Sequence, residues 1–153
     1  MNFDPYVIDK DGNRQYYQRG LVWNLEQKQL LVESMYNGIE IGKFIFRYRS
    51  WPYIRKQMLE TGHGHDWDCV DGKQRMHAII GFVGNTFKDM RGNYFRDLSE
   101  SARRKFLDYG HLAIGTLAEN STDQQAISAF LTLNFTGTPM SKEHIAHVQS
   151  IKI

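Results

Sequence analysis

One stretch constrains this chain more than any other: Trp67-Asp68-Cys69-Val70-Asp71-Gly72-Lys73-Gln74-Arg75-Met76-His77-Ala78, where an apolar strand runs through an acid and a glycine into a helix-forming segment. A strand turning directly into a helix belongs to an α/β arrangement. Asp71 is a favourable helix N-cap, and Gln74, three residues on, has the spacing of a capping box. A helix start of this kind presents backbone N–H groups and the positive end of the helix dipole, which together attract an anion. Gly72 lets the backbone approach a ligand closely, Arg75 offers a forked donor for phosphate oxygens, and Asp71 suits either Mg2+ or a hydroxyl proton. The same residues also read more plainly, as a capped helix whose Arg75 pairs with a surface acid.

At 153 residues, with 41% hydrophobic, the chain suits one domain spanning 1–153 with its own core. Its net charge of +2 does not by itself call for a nucleic-acid partner. A local basic run does exist: Arg47, Arg49, Arg55 and Lys56, interleaved with Tyr48, Trp51 and Tyr53, has the composition to grip a phosphate backbone and stack bases. Its plainer reading is an ordinary sheet face with packed side-chain stems. No window approaches the ~18 apolar residues of a membrane span, and Met1-Asn2-Phe3-Asp4-Pro5 lacks the regions of a signal peptide. A cytoplasmic protein without a membrane partner is expected. The single cysteine, Cys69, excludes an internal disulfide and, beside Val70, is expected to be buried.

Along the chain, Tyr6-Val7-Ile8 before Asp11-Gly12 reads as an edge strand or hairpin start. Asn24 caps a helix to about Tyr36, ended by Asn37-Gly38. Lys43 to Tyr48 alternates as a strand with Arg47 and Arg49 on a polar face, and Trp51-Pro52 breaks it. Tyr53 to Leu59 is helix-like, and Lys73 to Val83 is a helix ended by Gly84-Asn85. Phe87 to Phe95 reads as a hairpin-like excursion. Ser99 caps a helix to Tyr109 closed by Gly110, and Leu112 to Leu117 is a strand. Thr122 and Gln125 form a capping box for a helix from Asp123 to Leu133, and Ser141 caps a last helix to Ile153.

A competing chemistry is metal-dependent cleavage through His63-x-His65-Asp66-x-Asp68. Alternation in an extended segment puts the histidines on one side and the acids on the other, so one metal would need the neighbouring glycines to bend the chain. A solvated loop is the alternative.

Several separated segments carry a family resemblance. Tyr17-Gln18-Arg19 with Val22-Trp23 resembles an opening Gln-Arg-x-x-Val-Trp element, and Leu30 to Ser34 with Gly38 to Gly42 a first helix and turn. Val70 to Arg75 is similar to an Asp-Gly-Gln-Gln-Arg signature, and Phe130 to Ser141 to a late Leu-Asn-x-x-Gly-x-x-Leu-Ser segment. In this order they resemble the ParB/sulfiredoxin-like superfamily, in the branch found at the N-terminus of GmrSD-type restriction proteins and related phage-defence proteins. The resemblance implies an α/β (α+β) fold: a single compact domain, with a small mixed sheet packed with helices. It also implies a nucleoside triphosphate with Mg2+ as ligand and a place in phage or bacterial DNA modification or defence.

Carried over residue by residue, Asp71, Gln74 and Arg75 are the catalytic candidates, for NTP hydrolysis or phosphoryl transfer. Asp71 would organise a metal or the attacking water, and Gln74 would orient either. Gly72, Lys73 and Arg75, with Arg19 and Asn134, are the candidate nucleotide contacts, Asn134 being equally readable as a helix C-cap. The match departs at Lys73, where the family usually has glutamine. GmrSD-type proteins carry a separate nuclease domain after this one, and since the chain ends at Ile153 their cleavage is not expected here. The alternatives are a DNA-binding or protein-interaction module without turnover, including a homo-oligomer, and the metal-dependent nuclease.

Overall fold

The computed structural model describes residues 1–108, 112–134 and 140–153. The fold is α+β, and its residues gather into two compact units interleaved along the chain. The first comprises Met1–Gly20, Phe44–Asp71 and Ile114–Ile153; the second comprises Leu21–Lys43 and Gly72–Ala113.

In the first unit, β1 (Tyr6–Ile8) and β2 (Arg14–Tyr16) form the expected antiparallel hairpin. Its turn is held by Asp9, whose carboxylate accepts from the N–H groups of Asp11 and Asn13, while Gly12 takes the positive φ of 83° that side chains disfavour. A mixed sheet follows the order β4-β3-β5: β3 (Phe44–Tyr48) pairs antiparallel with β4 (Trp67–Asp71) and parallel with β5 (Ile114–Thr116). The β3–β4 register shifts between Ile45 and Phe46, so that Ile45 faces Asp71 while Phe46 faces Cys69. Such a bulge bends the strand and re-aims its end.

Trp51-Pro52 does end β3, and it also opens α2 (Trp51–Thr61), because proline in a first helical turn gives up an N–H that needs no intrahelical partner. Helices α5 (Asp123–Asn134) and α6 (Lys142–Ser150) complete the unit. Thr122 and Gln125 exchange the two hydrogen bonds of the expected capping box, and the Ser141 hydroxyl accepts from the His144 N–H. The buried core joins Val7, Tyr17, Val70, Ile127, Phe130, Val148 and Ile151.

The second unit holds α1 (Leu25–Tyr36), α3 (Lys73–Val83), a single 3-10 turn (Phe95–Asp97) and α4 (Glu100–Asp108). Asn24 and Gln27 form a complete capping box at α1. The core is aromatic: the Phe82 ring lies 5.4 Å from Phe106, 5.7 Å from Phe87 and from Phe95, and 6.4 Å from Tyr36, between ring centroids.

The hairpin-like excursion expected over Phe87 to Phe95 doubles back without strands, the Asp89 N–H donating to the Asn93 carbonyl at 2.9 Å. The buried Asp89 carboxylate holds its turns, accepting from the N–H groups of Arg91 and Asn93 and from the Tyr36 hydroxyl. The expected helix end at Tyr109 and Gly110 lies outside the described residues.

Candidate functional site

The strand, glycine and helix follow one another as the sequence predicts, but the cap is different. Asp71 is the last residue of β4, and Gly72 is the N-cap of α3, at φ 103° and ψ 3° in the left-handed region. Gly72, and not Asp71, therefore holds the cap position of α3. A non-glycine residue would be strained at Gly72, so the chain can pass from strand to helix within one residue only because no Cβ is present. Lys73 opens the helix and is only 5% exposed.

Gln74, 9% exposed, turns its side chain to a distant partner. Its Oε1 accepts from the backbone N–H groups of Val22, at 3.0 Å, and Trp23, at 3.3 Å, the two residues that lead into the Asn24 cap of α1. Arg75 reaches the opposite end of the same segment. Its Nη1 donates to the Ile41 carbonyl at 2.7 Å and its Nη2 to the Lys43 carbonyl at 3.0 Å, straddling Gly42. Gly42 has φ 81°, and a Cβ placed there would lie 2.8 Å from Arg75 Nη1.

Within the first unit, Gln18 donates through Nε2 to the carbonyls of Cys69, at 2.9 Å, and Val70, at 2.8 Å, anchoring the strand that ends in Asp71. Arg19 is half-buried; burial lowers its pKa, and the Asp71 carboxylate pulls it partly back up, which places the two side chains within electrostatic reach. Only the Tyr17-Gln18-Arg19 block hinted at Gln18. The Ile41–Lys43 carbonyls left no signal beyond the glycines around them, because a backbone acceptor has no residue type.

The remaining candidates fall elsewhere. Asn134 donates through Nδ2 to the Phe130 carbonyl at 2.8 Å, a bond within its own helix turn, while the flanking residues 135–139 lie outside the described residues. Arg47 and Arg49 are 6% and 5% exposed, not on an outward polar face. Arg47 pairs with Asp123 at 2.5 Å; Arg49 pairs with Asp68 at 2.5 Å and with Asp123 at 2.9 Å, and also donates to the Tyr6 carbonyl. The correction is electrostatic: buried guanidinium groups need acids, and these acids come from β4 and α5. Arg55 and Lys56 are exposed on α2.

His63 and His65 follow α2, the His65 N–H donating to Gln57 Oε1, and no group of three His, Cys, Asp or Glu side chains able to hold a metal occurs among the described residues. Cys69 is buried, as expected. No helix among the described residues is long and apolar enough to cross a membrane.

The profile of one protein family, described as the GmrSD restriction endonuclease N-terminal domain, matches residues 9–149. The chain belongs to that family. The match covers all the segments that carry the resemblance, from Tyr17 to Ser141. Belonging to the GmrSD N-terminal family relates the chain to restriction endonucleases, and so to defence against phage. No curated protein and no solved structure matches it.

Proposed function

We propose that this GmrSD-family chain binds a nucleoside triphosphate at the segment Asp71–Arg75 and that hydrolysis or transfer of its terminal phosphoryl group serves phage defence. The observation that carries the reading is the left-handed Gly72 between the end of β4 and the start of α3, followed at once by a buried lysine. A glycine at such a turn leaves room for close approach, a helix start favours an anion, and a lysine there adds a point charge suited to phosphate. The resemblance of Val70 to Arg75 to the Asp-Gly-Gln-Gln-Arg signature of ParB/sulfiredoxin-like proteins supports the same assignment.

In this reading Lys73 supplies positive charge to the phosphates, and Gly72 supplies the space. Asp71, half-buried at the strand end, accepts a proton from the attacking water or hydroxyl. Mg2+ arriving with the triphosphate fits one carboxylate of this kind, since it is commonly held by one or two acids together with phosphate oxygens. When bound it would neutralise charge building on the phosphoryl group.

Calorimetric titration of ATP, GTP and CTP, each with Mg2+, tests the proposal, with phosphate release followed in the same samples. Wild type is expected to bind at least one triphosphate, Lys73→Met to bind it at least ~10-fold more weakly, and Asp71→Asn to keep binding while losing release. Absence of binding by folded wild type to all three overturns it.

A further inference from the structure

We propose that Gln74 and Arg75 are positioning residues: they clamp the two ends of the α1 segment onto the first turn of α3 and act on any ligand only through that segment. Consecutive residues on one helix turn reach consecutive ends of one excursion. Gln74 holds Val22 and Trp23, immediately before the Asn24 cap, and Arg75 holds Ile41 and Lys43, after the turn that ends α1.

The chemistry of each contact suits a clamp. The Gln74 oxygen has two lone pairs and serves two adjacent backbone donors, and this contact needs an acceptor at that place. The Arg75 fork grips two carbonyls on either side of a single residue; that residue is a glycine at φ 81°, where a side chain is strained, and a Cβ there would lie 2.8 Å from Nη1 and push the guanidinium aside. The clamp also links three blocks that look unrelated in sequence, Val22-Trp23, Ile41 to Lys43 and the first turn of α3.

For its ligand readout the inference rests on the nucleotide reading; its structural readout does not. Hydrogen exchange on the nucleotide-free protein is the structural readout. Gln74→Leu is expected to speed exchange at Val22 and Trp23 by ~10-fold or more, while Gln74→Glu, which keeps the acceptor, leaves them protected. Arg75→Ala and Gly42→Ala are both expected to speed exchange at Ile39, whose N–H bonds the Ser34 carbonyl in the adjoining turn, and the double variant to add nothing further.

Triphosphate titration with Mg2+ then separates clamp from contact, because Gly42 has no side chain to offer a ligand. Gly42→Ala should weaken binding as much as Arg75→Ala. If Arg75→Ala abolishes binding while Ile39 stays protected, or Gly42→Ala binds like wild type, Arg75 grips the ligand itself and the proposal falls. If Gln74→Leu leaves Val22 and Trp23 protected, the Gln74 half falls. Failure of wild type to bind any triphosphate sinks the nucleotide reading alone, since the exchange results then decide the clamp.

Discussion

The two units bury different things. The second is organised around Phe82, ringed by Tyr36, Phe87, Phe95 and Phe106, and coheres by shape and dispersion. The first buries Arg47, Arg49 and Asp68 and half-buries Asp123, in a network whose members each answer an opposite charge. An aromatic core tolerates a lost contact in proportion to the volume lost, whereas a charge network fails when one member is left unanswered. The difference predicts which substitutions hurt, and how the damage responds to pH.

The sharpest separation comes from the fully buried Asp68. Asp68→Ala strands Arg49 next to one remaining carboxylate and is expected to cost about 4 kcal/mol by denaturant unfolding, whereas Arg49→Met combined with Asp68→Leu is expected to cost far less than Asp68→Ala alone. Equal costs for the single and double variants would show that the network behaves as ordinary packing. Phe82→Ala is next, at about 3 kcal/mol from transfer and cavity terms, with little dependence on pH between 4 and 8.

Acid unfolding sharpens the contrast further. Burial pushes the Asp123 carboxyl up, but the hydrogen bond from Arg47 and the charges of Arg49 and Arg47 outweigh it and hold its pKa below the ordinary 3.8. A lowered folded-state pKa means stability that is present above the unfolded value and lost as pH falls through the folded one. Stability measured from pH 6 downward should therefore fall more steeply below about 3.8 in wild type than in Asp123→Asn. Parallel curves would remove Asp123 as a cause. The smallest effect is expected at Tyr17, fully buried, whose hydroxyl has no hydrogen-bond partner among the described residues. Tyr17→Phe should change stability by about 1 kcal/mol or less, toward stabilisation, and a clear loss would reveal a partner for that oxygen.

Much of this was legible locally. Asn24 with Gln27 and Thr122 with Gln125 each form their capping boxes because all four groups lie within one helical turn, and α3 spans the residues its apolar spacing predicts. What was not legible depends on partners far along the chain. The Asp71-x-x-Gln74 spacing satisfies a capping box on paper, yet Gly72 takes the cap position and Gln74 finds two backbone donors some fifty residues away. Alternation put Arg47 and Arg49 outside; Asp68 and Asp123 bring them inside, and neither acid can be matched to an arginine from spacing. Part of the candidate site shares this problem: the resemblance marks Asp71 to Arg75, but nothing in the letters separates a residue that faces a ligand from one that holds backbone.

The central claim is that the turn from Asp71 to Arg75 receives a nucleotide, and the most direct measurement is a hydrogen-exchange footprint of wild type with and without saturating triphosphate and Mg2+. The account predicts slowed exchange in the peptide covering residues 71–76, as the ligand covers the start of α3. A bound triphosphate that leaves residues 71–76 unchanged and protects another segment would contradict it.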